Sequence, residues 1–215
     1  MKIGILALQG DFRSHAERLA KFGADTLLIK KAGELSAVDG LVLPGGESTA
    51  LLTLLTPELK EGLAEKVRAG LPVFATCAGL ILIAQSVRNP EQESLGLLDV
   101  EVTRNAYGRQ VDSFISEELK VHNRPPLFTE PAHADNQHEK LEGVFIRAPK
   151  ITHCGAGVNT IVSLKNDPVL VRQDNILAGT FHPELSDRCE LVYKIFFGLV
   201  EKSVACHKAA NLPPI

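Results

Sequence analysis

Residues 72–84 read PVFATCAGLILIA, two apolar runs parted by Thr76-Cys77-Ala78-Gly79. "PVFAT" is short, branched and aromatic, as a buried strand is, and "AGLILIAQ" reads as the helix that follows it. The stretch therefore predicts a strand that stops and a helix that starts at once, with a cysteine at the junction.

The same alternation runs back to the first residue. "KIGILAL" (2–8) reads as a buried strand rather than a signal peptide, since a charged stretch follows without a cleavage site. "DFRSHAERLAKFG" has helical spacing, with Gly23 placed to end it. "DTLLIK" and "GLVLP" are the next strands, and "TALLTLL" follows "GGES". The segment "TPELKEGLAEKVRAG" has Thr56 as N-cap, Pro57 in the first turn and Gly70 past the end. Strands that are continuous apolar runs, alternating with helices, predict a mostly parallel central sheet with helices on both faces.

Beyond about residue 96 strand-like runs dominate: "LLDVEVTR", "RQVDSFI", "GVFIRAP", "KITHCG", "TIVSLK", "PVLVRQ" and "ILAGTFHPE". The expectation is an α/β fold with additional strands in the C-terminal half. An amphipathic helix over 187–203 closes a single domain, 1–205, leaving 206–215 as a loosely ordered tail. The Pro-rich, polar segment 118–142 reads as a surface loop.

The chain has 215 residues, 45% hydrophobic, with net charge -3, which points to no nucleic-acid or anionic-membrane partner. No apolar run approaches the roughly 20 residues that span a bilayer. The cysteines, 77, 154, 189 and 206, lie far apart, which argues against a zinc site or a secreted disulfide framework and for a reducing cytoplasm.

Three stretches carry chemistry, and all fall at predicted strand ends, where open parallel sheets bind ligands. Cys77 is either a small buried hydrophobe or a nucleophile on a tight strand-to-helix turn, where a helix N-terminus favours thiolate. "LPGGES" (43–48) is either a plain turn with Ser48 as N-cap or a loop whose exposed N–H groups meet negative charge. In "GTFHPEL" (179–185), His182 and Glu184 stand two apart and point to one side if the segment is extended. Apart, they are a surface histidine near an acid; beside a cysteine, they are a base and its orienter. Together the three point to acyl transfer through a thioester.

"LALQGDF", "LPGGEST", "TCAGLI", "RNAYGRQVDSF", "FIRAP" and "TFHPEL", in order from residue 5 to 185, resemble the glutaminase subunits of pyridoxal 5'-phosphate synthase, which are class I glutamine amidotransferases. The resemblance implies a flavodoxin-like fold that hydrolyses L-glutamine to glutamate and ammonia. It implies Cys77 as nucleophile, His182 as base and acid, Glu184 as orienter, and an oxyanion hole from Gly46 and Ala78. It implies glutamine binding at Gly46, Glu47, Ser48, Arg104, Ile146 and Arg147, with Gln9, ending the first strand, near a partner interface. The implied partner is a (β/α)8-barrel synthase subunit that receives the ammonia; no cofactor or metal is implied.

This chain departs from the family pattern twice. Ala75 stands where the turn usually has glycine, and would be strained if that position needs positive φ. The connection 118–142 is long and carries His122, His133 and His138, read as a surface insertion with metal binding as the alternative. The alternatives to the whole reading are a catalytically impaired scaffold subunit and a glutaminase serving another pathway.

Overall fold

The computed structural model describes residues 1–104, 106, 113–122 and 141–210. Its first half alternates as the apolar runs predict. The elements in order are β1 (Lys2–Leu6), α1 (Phe12–Lys21), β2 (Asp25–Ile29), β3 (Gly40–Leu43), α2 (Ser48–Leu54), α3 (Pro57–Arg68), β4 (Val73–Thr76) and α4 (Ala78–Ile83). The caps follow local chemistry. Thr56 accepts from the Leu59 N–H, and Gly23 and Gly70 take φ of 75° and 98° just past α1 and α3. For α2 the cap is Glu47 rather than Ser48: its carboxylate reaches the Ala50 N–H at 2.8 Å.

Two boundaries differ from the sequence reading. The helix expected over "AGLILIAQ" ends at Ile83, and Ala84–Arg88 form strand β5, because Ala84 pairs with Leu98 across a sheet that local periodicity does not reveal. The strands after it are β6 (Leu98–Thr103), β7 (Phe114–Ser116), β8 (Leu119–Val121), β9 (Gly143–Phe145), β10 (Lys150–Cys154), β11 (Asn159–Leu164), β12 (Asp167–Gln173) and β13 (Ile176–Gly179). Strand β8 lies inside the segment read as loop. Leu119 and Val121 alternate onto the core, and the backbone pairs with β11. The closing helix α5 is Glu190–Ala210, not 187–203, and so takes in residues 206–210, read above as tail.

The main sheet has eight strands in the order β2-β1-β3-β4-β13-β12-β11-β8. The first five pair in parallel and the last three antiparallel. Smaller sheets, β10-β6-β5 and β7-β9, flank it. Side chains alternate between two cores. Leu41, Leu43, Val73 and Ala75 pack with Leu51, Leu63 and Leu80 of α2, α3 and α4. Ile3, Ile5, Val42 and Phe74 pack with Leu19 of α1 and Val192, Ile195 and Phe196 of α5. Burial on both faces is why these strands read as unbroken apolar runs.

Candidate active site

The order β2-β1-β3-β4-β13 changes direction between β1 and β3, so the crevice beyond the carboxyl ends of those strands is where a ligand fits. The loop after β3, the turn after β4 and the segment after β13 all reach it.

Cys77 follows β4 directly, with φ 47° and ψ -103°, and caps α4. A non-glycine residue with this backbone stores strain of about 1–3 kcal/mol, held in place by surrounding structure. Here the holders are the Cys77 N–H, which donates to the Gly179 carbonyl at 2.9 Å, and the Cys77 carbonyl, which accepts from Ile81 N–H at 3.1 Å. Gly79 is required beside it, since a Cβ there would lie 2.1 Å from the Leu43 carbonyl oxygen. The left-handed residue is thus Cys77, and Ala75 is ordinary buried strand paired with Leu43 and Ala178. No strain arises at Ala75, which removes the sequence feature that favoured an inert scaffold. Ala75→Gly should lower unfolding free energy by about 1 kcal/mol, through chain entropy and a lost buried methyl, without changing turnover. A denaturant titration beside an activity assay checks both halves.

His182 and Glu184 meet, though not by the extended geometry expected. Pro183, with its fixed φ, begins a 3-10 turn over Pro183–Leu185, and the turn bends the carboxylate back onto the ring. His182 Nδ1 lies 2.7 Å from Glu184 Oε1, which leaves Nε2 for the Cys77 thiol. The His182 N–H donates to Val144 O at 2.8 Å and fixes the turn against β9. Burial alone would lower the His182 pKa, but the hydrogen bonds to Cys77 and Glu184 carry it up to about 10. Burial likewise opposes ionisation of Glu184, and His15 and His182 outweigh it, so its carboxyl sits below the usual range. An imidazolium braced by a carboxylate is the partner a Cys77 thiolate would need.

The Pro-Gly-Gly loop closes on this pair. A Cβ at Gly45 would lie 2.4 Å from His182 Cε1 and 3.2 Å from Cys77 Cβ. Gly45→Ala must therefore push the imidazole aside. A misplacement of about 1 Å costs on the order of 100-fold in turnover, which steady-state kinetics would register while the melting temperature moves little.

A cavity of about 140 Å³ opens over Cys77 and His182, lined also by Gly46, Glu47, Ser48, Ile81, Arg104, Ile146, Arg147 and Pro149. A larger one, about 590 Å³ beside Leu35, Asp39 and Leu71, lies at the amino ends of the strands, away from Cys77 and His182. The smaller cavity brings together every glutamine-binding residue that the resemblance implied. Arg104 Nη2 reaches Glu47 Oε1 at 3.3 Å and Thr49 Oγ1 at 3.4 Å. Arg147, exposed, stands at φ 44° beside Ile146. Ala78 is the first residue of α4, so its N–H belongs to the unpaired first turn. Gln9 lies beyond β1 rather than at its end, and its Oε1 accepts from the Glu47 N–H at 3.1 Å.

Sequence reasoning missed Ile81, Pro149 and Gln92, which accepts from the Ser48 hydroxyl at 2.8 Å. Ile81 was findable, one helical turn from Cys77; Gln92 lies in a stretch without a motif. Asn105 and residues 107–112 of the "RNAYGRQVDSF" motif lie outside the described residues, as do His133 and His138. His122 Nε2 instead lies 2.7 Å from the Ser163 hydroxyl. Among the described residues no group of three His, Cys, Asp or Glu could hold a metal ion, and no helix is long and apolar enough to cross a membrane.

A sheet of this order, with a cysteine elbow and a histidine–glutamate turn at its carboxyl edge, defines the class I glutamine amidotransferases. A crystal structure of a glutamine amidotransferase matches with TM-score 0.80 and 38% identity, over 93% of this chain and 98% of that one. The chain belongs to the SNO glutamine amidotransferase family, whose model matches residues 5–202. It is 48% identical over 203 residues to the pyridoxal 5'-phosphate synthase subunit PdxT of Thermotoga petrophila, covering 94% of this chain and 100% of that one. The same identity and coverage hold for PdxT of Thermotoga maritima.

Proposed function

We propose that the chain is the glutaminase subunit of a pyridoxal 5'-phosphate synthase, with Cys77, His182 and Glu184 as its catalytic triad. The observation that carries the reading is His182, held between the Cys77 thiol and the buried Glu184 carboxylate at the floor of a small cavity.

The Cys77 sulfur attacks the carboxamide carbon of glutamine, and the carbonyl oxygen takes the negative charge, facing the Gly46 and Ala78 N–H groups. His182 protonates the departing nitrogen, the C–N bond breaks, and ammonia leaves a thioester on Cys77. Water then attacks, giving its proton to His182; the C–S bond breaks and glutamate departs. Glu184 orients the ring and stabilises imidazolium throughout. Arg104 and Arg147 supply the cationic forks that the substrate's α-carboxylate requires, with Glu47, Ser48 and Ile146 shaping the rest.

The ammonia passes to a synthase subunit, which we take to be a (β/α)8 barrel. The relatives' own description as a synthase subunit supports a partner, as do Ile146 and Leu185, apolar and 38% and 42% exposed beside the site. Four free cysteines suit a reducing cytoplasm. The test is ammonia release from glutamine, measured with and without the synthase subunit. Release with the partner is expected; none in either case rejects the function.

A further inference from the structure

Beneath the triad lies a second histidine that the reaction above does not use. His15 is fully buried on α1, one turn past its N-cap Asp11. Its ring joins three elements. Nδ1 lies 3.1 Å from the Tyr193 hydroxyl of α5. Nε2 lies 3.3 Å from Thr76 Oγ1, next to the nucleophile, and 3.3 Å from Glu184 Oε2. That second carboxylate oxygen is buried and makes no well-aligned hydrogen bond, so the His15 contact, loose as it is, is what faces its charge. Arg18, a turn further along α1, donates to the Glu184 carbonyl at 3.1 Å, so α1 grips the turn by backbone and side chain together.

We propose that His15 is a positioning residue of the glutaminase centre, held by Tyr193 in the tautomer whose Nε2–H faces Glu184, so that Tyr193, His15, Glu184, His182 and Cys77 form one continuous chain. The inference rests on the glutaminase reading above. The tautomer follows from donor arithmetic. Glu184 Oε2, a carboxylate oxygen, can only accept, so the ring nitrogen facing it carries the proton, and Nδ1 accepts from the Tyr193 hydroxyl, which burial keeps protonated. Burial also holds His15 neutral, against the pull of Glu184 and Asp11 and with the repulsion of His182. A neutral imidazole accepting at Nδ1 carries its one proton on Nε2, aimed at Thr76 and Glu184. The groups facing His15 are therefore Asp11, Thr76, Tyr193, Glu184 and His182, with the Phe74 ring edge-on at 6.0 Å.

Such a residue acts on turnover and on the ionisation of the Cys77–His182 pair, not on substrate binding. Without the Nε2–H, Glu184 keeps its charge less readily, braces the imidazolium less, and the thiolate needs higher pH to form. The experiment uses the full chain with its synthase subunit for ammonia release, and the chain alone for iodoacetamide alkylation of Cys77 against pH. His15→Ala should lower kcat about tenfold with KM for glutamine changed less than twofold, and move the alkylation midpoint upward. His15→Gln, whose amide can present an N–H where Nε2–H stood, should recover most of both. Tyr193→Phe, which frees the tautomer, should show the same shift more weakly. A folded His15→Ala with unchanged kcat and midpoint overturns the proposal. So does equal loss in the alanine and glutamine variants at an unmoved midpoint, which marks packing alone. If His15→Ala does not fold, His15→Gln and Tyr193→Phe decide: a normal midpoint in Tyr193→Phe together with a dead His15→Gln is the overturning result. Failure of the glutaminase reading looks different, since wild type would then release no ammonia whatever the alkylation curves show.

Discussion

Cys77→Ala is expected to abolish ammonia release in the presence of the synthase subunit, by a factor of about 10,000 or more. Among the described residues lining the cavity, no other is a cysteine or carries a hydroxyl free of a hydrogen-bond partner. Arg104 and Arg147 are cations, Ser48 donates its hydroxyl to Gln92, and His182 needs the sulfur as its proton partner. The fold should survive. Alanine meets the same positive φ as cysteine, the replaced side chain is small, and the elbow's backbone bonds to Gly179 and Ile81 do not involve the sulfur. Glutamine should therefore still bind, which calorimetry on the assembled complex would register, while the ammonia assay reads background. Turnover within tenfold of wild type would remove Cys77 from the mechanism.

Glu184→Gln should cost about 1,000- to 10,000-fold in kcat with little change in size or packing, because it removes a charge and nothing else. The carboxylate is buried, has one oxygen on His182 Nδ1 and is ionised despite its burial. It is one of the two partners that carry His182 up to about 10, so its loss lets burial pull the imidazole back down. The sign for the nucleophile follows. A less basic His182 holds the thiol proton less well, so the thiolate–imidazolium pair is disfavoured. The midpoint for alkylation of Cys77 should accordingly rise in the variant. A midpoint that stays put or falls would show that Glu184 does not brace the pair.

Much of this site is legible in the sequence because its parts are local backbone demands. A cysteine between small residues at the end of an apolar run, paired glycines after another, and a histidine two before a glutamate each advertise a turn. The resemblance supplied candidate glutamine-binding residues, and those residues line one cavity. What local pattern could not supply was pairing. Ala84–Arg88 continue an apolar helix in sequence, and only Leu98–Thr103 alongside make them a strand. Leu119–Val121 is too short to register as a strand until β11 lies beside it. His182 and Glu184 were expected to face one way along an extended chain, whereas a 3-10 turn brings them together.

His15 marks the limit most clearly. In sequence it is one polar residue of an amphipathic helix, and nothing within α1 distinguishes it from a solvated histidine. It reaches Thr76, Tyr193 and the Glu184 turn because α1 and α5 pack on one face of the sheet, under the ends of β4 and β13. The sequence by itself determined the alternating α/β order, the strand-end cysteine and the histidine–glutamate pair, since each depends on neighbours within a few residues. Only the tertiary structure decided that His15 hydrogen-bonds Thr76 and Tyr193 and faces the Glu184 carboxylate. Contacts between residues so far apart in the chain are set by helix-on-sheet packing, which no local pattern encodes.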